Sequence, residues 1–356
     1  MFDDKRNMIG LLFAIAAILI MIGCAATLKP RATTFLQPHI DPEIQVDIYI
    51  PGRTWEGTTL FADYHDPGRT RIVEVNMVGQ IVWEYVLPVD MRRYTNPGFD
   101  AKALPNKNVL FVSPCNGVFE INPSGDFVWS YSDKKVSHDA DRLDNGNTLV
   151  VWGGGDRISD AQVKEINPKG EIVWSWYAKD NFNRPPFDSV QFEGWTHTNG
   201  ATRLPNGNTL ISMRNFDLTV EVNSKGSVLN SFSWRKHGRN PHSPTLLPNG
   251  NLLVALRGPH RVIEVEQKSG RIVWQFDRSD VETVRDVDRL PNGNTLIVER
   301  TKILEVAPSG EIVWQLKMKT VGVGPRDKER WLYTAQRVPR PSRQERLILT
   351  AHNSMF

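Results

Sequence analysis

Histidine, asparagine and arginine recur at one position relative to a turn that is repeated along the chain. The residues eight places before the turn glycine, or before the lysine at 107 that replaces it, are Phe99, His138, Asn199, His242 and Arg285. A neutral imidazole is a competent nucleophile near pH 7, and the guanidinium fork of an arginine can bind two oxygens of one anion. These residue types predict a chemical site, provided that the fold brings them together.

Two further residues extend this candidate site. His197 lies two residues before Asn199, so both side chains point to the same side of an extended segment. Arg214 follows the next predicted strand and can return its guanidinium towards the same place. A single histidine in a strand protein is usually structural, but burying this many polar groups without a function is costly. We therefore predict that the set acts together.

The elements that must position these residues come from a repeat of 40–56 residues. Phrases of the type Arg-Leu-Pro-Asn-Gly-Asn-Thr-Leu begin at Arg142, Arg203, Leu246 and Arg289, and a degenerate copy begins at Ala103. An Asn-Gly turn between two short apolar runs is the strongest local signal for a β-hairpin. An alternating strand and a final strand follow each turn. Four strands per repeat at this period are typical of propeller blades.

The number of final strands predicts an all-β fold, a six-bladed β-propeller. These strands are marked by Trp83, Trp129, Trp174, Asn230, Trp274 and Trp314. The first copy lacks its innermost strand, which the C-terminal stretches at Tyr333 and Arg346 can supply, so that the two ends of the chain close the ring. Equivalent positions in successive blades then surround the central channel, and the polar column lies at its mouth. A right-handed solenoid is the competing architecture.

Three features adjoin this predicted ring. The recurring tryptophans are expected to pack between blades rather than to bind a ligand. The insertion at residues 178–195 is expected to form a rim or lid. The column next to the ring contains Asp100, Asp139 and Asp286. These aspartates fit either the site or a bracing role between blades.

The N-terminal segment indicates the compartment. Residues 8–28 carry no charge, and a helix of that length rises about 30 Å, enough to cross a bilayer core. Residues 1–30 are therefore predicted as a transmembrane or signal-anchor helix, or as a lipoprotein-type signal with Cys24 as the lipidated residue. A linker over 31–54 and the propeller over 55–356 follow. The propeller is expected on the periplasmic or extracellular side of the membrane.

Composition excludes several classes of protein. The 356 residues include 43 Lys and Arg against 40 Asp and Glu, without basic runs, so nucleic acid is not an expected partner. Two cysteines are too few for a disulfide framework or a cysteine-rich metal site. The 15 Phe and 11 Trp supply ample material for a folded core.

The residues of the site, in their order, resemble the bacterial arylsulfate sulfotransferases. The resemblance rests on His138-Asp139 before Leu-Asp-Asn-Gly-Asn, the pair His197-x-Asn199, Ser212-Met-Arg214, and His242 before Leu-Pro-Asn-Gly-Asn. It extends over about residues 55–320. That family consists of six-bladed propellers that need no nucleotide sulfate donor.

The resemblance implies sulfuryl transfer from an aryl sulfate to a phenolic acceptor, with no cofactor and no metal. His242 is similar to the nucleophile that becomes transiently sulfated, which implies ping-pong kinetics through a sulfohistidine. His197 is the candidate proton donor to the leaving oxygen. The predicted catalytic residues are His242, His197 and Arg214, and the predicted substrate-binding residues are His138, Asn199 and Arg285.

Two other functions stay open at this stage. One is a non-catalytic, membrane-anchored propeller that serves as a scaffold or accessory subunit for protein partners in a larger membrane complex. The other is a quinone-cofactor dehydrogenase, suggested by the Gly-x-x-x-Trp ends of the blades. That cofactor needs a calcium ion held by carboxylates, and no motif in the sequence marks such a site.

Overall fold

Each of the repeated Asn-Gly turns joins the innermost strand of a sheet to the second strand of the same sheet. The turn glycines have left-handed backbones, with φ of 84° at Gly146 and 85° at Gly207, which glycine adopts without steric cost. Lys107 adopts the same conformation with φ of 70°. The degenerate copy of the repeat therefore keeps the turn.

The computed structural model describes residues 37–94, 98–319 and 332–339. Within them, six antiparallel sheets form the blades of a propeller, which confirms the predicted all-β, six-bladed fold. The innermost strand of each blade contacts the second strand of the preceding blade. The C-terminal strand makes this contact for the first blade and thereby closes the ring.

Blades 2 to 5 each contain four strands, in chain order from the channel to the rim. Blade 2 consists of β6 (Asp100–Ala103), β7 (Val109–Ser113), β8 (Gly117–Ile121) and β9 (Phe127–Ser132). Blade 3 consists of β10 (Ala140–Arg142), β11 (Thr148–Val151), β12 (Val163–Ile166) and β13 (Ile172–Trp176). Blade 4 consists of β14 (Thr198–Arg203), β15 (Thr209–Met213), β16 (Leu218–Val222) and β17 (Val228–Ser233). Blade 5 consists of β18 (Arg239–Leu246), β19 (Leu252–Gly258), β20 (Arg261–Val265) and β21 (Ile272–Phe276).

Blades 1 and 6 each carry a fifth strand on the rim. From the channel outwards, blade 1 consists of β26 (Ala335–Pro339), β3 (Gly57–Asp63), β4 (Arg71–Val75), β5 (Gln80–Val86) and β1 (His39–Ile40). Blade 6 consists of β22 (Asp286–Arg289), β23 (Thr295–Val298), β24 (Lys302–Val306), β25 (Ile312–Met318) and β2 (Ile44–Tyr49). Strands β1 and β2 both lie within the predicted 31–54 linker, so part of this linker is sheet. They pair with the rim because the outer strand of a sheet leaves backbone groups open to another strand.

In the described part of the chain, the connections contain four short helices. These are the 3₁₀ helices Pro67–Arg69, Val89–Tyr94 and Arg214–Phe216, and the α-helix α1 (Lys179–Phe182). Helix α1 lies in the 178–195 insertion, whose Phe182, Phe187 and Val190 pack against the apolar core between blades 3 and 4. The insertion is thus anchored to the propeller by its own apolar side chains.

A polar network repeats at the interfaces between blades. At the interface of blades 2 and 3, Glu120 accepts hydrogen bonds from Asn108 at 2.5 Å and Arg142 at 2.6 Å. The Arg142 guanidinium lies over the ring of Trp129, 4.6 Å from its centroid, and the Trp129 indole donates to the carbonyl of Pro168. Equivalent contacts involve Arg203, Arg289 and Arg337. The recurring tryptophans therefore pack between blades.

The interface between blades 4 and 5 lacks both the tryptophan and the arginine of this contact. Asn230 stands where the other final strands have tryptophan, and Leu246 stands where four of the other blades have arginine and blade 2 has Ala103. Glu221 then accepts a hydrogen bond from Asn230 at 2.9 Å instead. The paired change is consistent with a role of tryptophan and arginine in joining blades.

The predicted membrane segment, residues 8–28 with Cys24, lies outside the described residues. Among the residues that are described, no helix has the length and apolar character needed to span a bilayer.

Candidate active site at the channel mouth

The polar column predicted from the sequence forms one layer of the central channel. In each blade, one residue of the innermost strand pairs with a leucine of the second strand, as Asp141 pairs with Leu149 in blade 3. The residue three positions earlier in the chain than this innermost-strand residue belongs to the layer, as His138 does. These ring residues are Tyr333, Phe99, His138, Asn199, His242 and Arg285. All six are buried, so each polar member requires a partner or a function.

A chain of hydrogen bonds fixes the protonation of His138 and His197. Ser137 Oγ accepts from the backbone N–H of Gly153 and donates its hydroxyl hydrogen to Nδ1 of His138, 2.7 Å away. Nδ1 of His197 donates to the carbonyl of Glu193 at 2.8 Å, which leaves its Nε2 without a hydrogen. The Nε2 atoms of the two rings are 3.1 Å apart. When both rings are neutral, the hydrogen between them is therefore on His138.

His242 has one ring nitrogen with an available lone pair. Its Nδ1 donates to the carbonyl of Asn240 at 3.0 Å, so Nε2 carries no hydrogen in the neutral ring. Among the described residues, no hydrogen bond reaches that Nε2. Asn240 and Ser243, on either side of His242, have φ of 57° and 46°, a left-handed conformation that costs about 1–3 kcal/mol and is kept only where the surrounding structure holds it. The ring is thus held in the form that a nucleophile requires.

Burial and neighbouring cations keep the histidines neutral. Burial lowers the pKa of His242 well below its ordinary value, and the charges of Arg285 and Arg214 lower it further. Burial, followed by the charge of Arg214, lowers the pKa of His197 to about 3. Burial and the neighbouring His197 also place the pKa of His138 far below its ordinary value. At pH 7 the site therefore combines uncharged imidazoles with charged guanidiniums.

Three arginines supply the positive charge at this end of the channel. Arg214 and Arg257 both lie seven residues after a turn glycine, and Arg285 belongs to the ring. The Arg285 guanidinium carbon is 5.5 Å from the centroid of the Tyr333 ring. Burial lowers the pKa of Arg257, and the charges of Arg285 and Arg214 lower it further. Because the three cations repel one another, an anion bound among them is stabilised.

Asn199 has a buried oxygen that lacks a partner in the described part of the chain. Its amide nitrogen donates to the carbonyl of Pro241 at 2.8 Å, whereas Oδ1 makes no hydrogen bond. An unsatisfied buried acceptor costs about 1–3 kcal/mol. This oxygen is suited to accept an O–H or N–H group of a ligand.

Beyond the ring, the channel is acidic. A cavity of about 290 Å³ on this side is lined by three residues of the ring and by the next layers of the innermost strands. The ring residues are His138, Asn199 and Tyr333, and the next layers include Asp100, Asp139, Asp141, Asp286 and Asp288. Lys102 forms ion pairs with three of these carboxylates, those of Asp100, Asp139 and Asp141. Burial raises the pKa of Asp100 and Asp286 to about 7. The carboxylates disfavour an anion on this side of the ring, whereas the arginines favour one on the other side.

The described residues include no group of three or more histidine, cysteine or carboxylate side chains arranged to hold a metal ion. Lys102 of blade 2 pairs with Asp139 and Asp141 of blade 3, so the acidic layers join these neighbouring blades.

The structure brings all six predicted site residues together. His138 and His197 are in direct contact. Asn199 binds the carbonyl of the residue before His242. The charges of Arg214 and Arg285 act on the pKa of His242.

Three residues of the site were missed by sequence reasoning. Arg257 has the same distance from its turn glycine as Arg214, and this repeat signal identifies it. Tyr333 joins the ring through β26, so its place depends on the pairing of Gln336 with Leu60. Glu193, in the insertion, has no equivalent in the other blades, and no repeat signal points to it.

Comparisons with solved structures find the same fold. A protein of unknown function from Bacteroides caccae is 23% identical, with a TM-score of 0.54 over 79% of this chain and 98% of its own. A streptogramin B lyase structure is 10% identical, with a TM-score of 0.52 over 78% of this chain and 87% of its own. At these identities the likeness shows the fold alone. A comparison with curated proteins gives no match.

The fold and the site define a β-propeller in which imidazoles and guanidiniums lie together at one end of the central channel. The model of the arylsulfotransferase (ASST) family matches residues 57–237. The chain belongs to this family, whose reaction is sulfuryl transfer and whose substrates are small aryl molecules, so the predicted resemblance is confirmed. The match contains His138, His197, Asn199 and Arg214 and ends before His242. A second family model, described as outer membrane protein assembly factor BamB, matches residues 159–353.

Proposed function

We propose that the protein transfers a sulfuryl group from an aryl sulfate to a phenolic acceptor through a sulfohistidine on His242, without a nucleotide sulfate donor. The observation that carries this proposal is the neutral His242, with an unprotonated Nε2, in the field of Arg214 and Arg285. In-line transfer of a highly charged electrophile depends mainly on such positioning and charge stabilisation.

In the first half-reaction, the lone pair of His242 Nε2 forms a bond to sulfur while the bond between sulfur and the aryl oxygen breaks. The electron pair of the broken bond leaves with the aryl oxygen. Arg214 and Arg285 bind the sulfuryl oxygens and stabilise the charge of the transition state. The step uses no metal ion and no other cofactor.

The leaving oxygen accepts a hydrogen bond from the pair His138 and His197. In the neutral pair the hydrogen between the two Nε2 atoms is on His138, so His138 donates this hydrogen bond and His197, the candidate proton donor, holds the His138 ring in place. A neutral imidazole N–H is a weaker acid than a phenol, whose pKa is about 10, so the oxygen leaves as a phenolate that the hydrogen bond stabilises and takes its proton from solvent.

The second half-reaction reverses these steps with a new phenol. The acceptor oxygen forms a bond to sulfur while the bond between sulfur and His242 Nε2 breaks, the electron pair of that bond returns to Nε2, and the phenol proton passes to solvent. The unpartnered Oδ1 of Asn199 accepts the acceptor's O–H hydrogen bond and orients the incoming oxygen.

An acceptor-dependence assay tests this function. A chromogenic aryl sulfate is incubated with and without a phenol, using the parent, His242→Ala and the control His237→Ala, which changes a histidine outside the ring. We expect acceptor-dependent release of the chromophore from the parent and the control, and none from His242→Ala. Equal release from His242→Ala contradicts the proposal.

A second candidate function is that of a non-catalytic scaffold or accessory subunit of a membrane complex. The match to the BamB family model over residues 159–353 favours it. Such a scaffold has no use for three buried, neutral histidines in one site. A parent protein that releases no product from a range of aryl sulfates, and that co-purifies in a stable complex with membrane proteins, supports the scaffold instead.

We also infer that residues 1–30 attach the propeller to a membrane, with the propeller on the periplasmic or extracellular side. The uncharged run at 8–28 supports this inference. We expect the full chain to stay in the membrane fraction after an alkaline wash and to be digested by protease added outside intact cells or spheroplasts. Recovery in the soluble fraction contradicts attachment.

A further inference from the structure

Glu193 connects the 178–195 insertion to two residues of the site. Its backbone carbonyl accepts hydrogen bonds from Nδ1 of His197 at 2.8 Å and from the N–H of Gly155 at 3.0 Å. Its carboxylate accepts from the Arg214 guanidinium at 2.7 Å. One residue of the rim therefore holds both a ring histidine and an arginine of the anion site.

The backbone of this connection is fixed, whereas the carboxylate can move. A Cβ added to Gly194 would lie 2.5 Å from Oδ1 of Asp156, and the same carboxylate accepts from the backbone N–H of His197 at 3.0 Å. The chain at Glu193 is therefore clamped to blade 3. The side chain of Glu193 is 58% exposed, compared with 4% for Arg214. It can leave Arg214 by rotating into solvent, without a change of the backbone.

We propose that the Glu193 carboxylate, which binds Arg214, takes the face of the guanidinium that the sulfuryl oxygens of the donor use, and that donor binding displaces it. A carboxylate and a sulfuryl group both offer oxygens to the same guanidinium fork. This inference rests on the proposed function only in assigning the bound anion to Arg214.

Displacement makes Glu193 a positioning and selectivity residue. While the site is empty, it keeps the guanidinium in place and neutralises its charge. Any anion that enters must compete with it, so small anions without further contacts bind weakly. An aryl sulfate also contacts the remainder of the site, and this added binding is sufficient to replace an ion pair that is weak because one partner faces water.

Titration with inorganic sulfate tests the displacement. Calorimetry is carried out on the full chain as parent, Glu193→Gln and Glu282→Gln. Glutamine keeps an oxygen for Arg214 but removes the competing charge, so we expect sulfate to bind about two- to fivefold more tightly to Glu193→Gln, the range that corresponds to an exposed ion pair. Glu282 is the matched control, because it is 66% exposed and pairs with Arg300 at 3.4 Å, the residue of blade 6 equivalent to Arg214. Its substitution should leave sulfate affinity unchanged.

A second substitution locates the effect. In an Arg214→Gln background, Glu193→Gln should no longer change sulfate affinity, because the arginine for which the two anions compete is gone. Unchanged or weaker sulfate binding by Glu193→Gln, or an equal gain in Glu282→Gln, would overturn the inference. If the parent lacks aryl sulfate turnover while Glu193→Gln still binds sulfate more tightly, the proposed function fails and this inference stands.

Discussion

Substitutions of Arg214 separate the effect of the guanidinium geometry from the effect of its charge. Its guanidinium is buried and held by Glu193 at 2.7 Å, and its charge lowers the pKa of both His197 and His242. Arg214→Lys keeps the charge but loses the planar fork. Arg214→Gln loses both.

The two variants should differ in size of effect and in pH dependence. Loss of one charge-assisted hydrogen bond to the transferring group costs about 1.5–3 kcal/mol, which lowers kcat/KM about 10- to 150-fold. Arg214→Lys should show this loss with an unchanged acid limb. Arg214→Gln should lose more, and its acid limb should move to higher pH. The cation that lowers the pKa of His242 is then absent, so this pKa rises towards its ordinary value and the nucleophile becomes protonated at a higher pH.

The assay is kcat/KM for an aryl sulfate at saturating phenol between about pH 4.5 and 8, where carboxylates and histidines titrate. Arg300→Lys is the control, because Arg300 has the equivalent position in blade 6 and pairs with Glu282. Activity of Arg214→Gln within tenfold of the parent at every pH would refute the assignment of Arg214 to the sulfuryl group.

Two further predictions concern stability. Burial and the neighbouring Asp288 raise the pKa of Asp286 from 3.8 to about 7. The folded protein therefore binds this proton more tightly than the unfolded chain, and the resulting stabilisation is lost as the pH rises from about 3.8 to about 7. Asp286→Asn should raise the free energy of unfolding more at pH 8 than at pH 5.5, by up to about 2 kcal/mol. An equal effect in urea unfolding at both pH values contradicts this. Arg142→Ala removes the ion pair with Glu120 and the contact with Trp129, and should lower the free energy of unfolding by about 2 kcal/mol. Substitution of the exposed Arg271 by alanine is the control and should have little effect. Similar losses of stability in both variants would show that the network between blades has no specific role.

The fold could be predicted because one local signal, the hairpin turn, recurs along the chain. An Asn-Gly turn fixes its own hairpin, and five copies of the phrase are sufficient to set the register of the innermost strands. Because equivalent positions of a closed ring face the channel, the positions of His138, Asn199, His242 and Arg285 relative to their turns predicted their convergence. The spacing carries this information because each blade has nearly the same backbone.

Features that depend on contacts outside the repeat were not predictable. Ile44–Tyr49 forms a strand by pairing with the rim of blade 6, and its own sequence does not specify that edge. Tyr333 enters the ring only through the pairing of a strand from the far end of the chain. The protonation of His138 and His197 depends on the hydroxyl of Ser137 and on the carbonyl of Glu193, and Glu193 reaches His197 only through the fold of the insertion.

The most direct measurement is to trap the sulfated enzyme. The parent is mixed with ³⁵S-labelled aryl sulfate in the absence of acceptor, quenched, digested and mapped by mass spectrometry. The account predicts label on the imidazole of His242, its discharge to added phenol, and no label in His242→Ala. Label on another residue, or transfer to phenol by a protein that never becomes labelled, would contradict it.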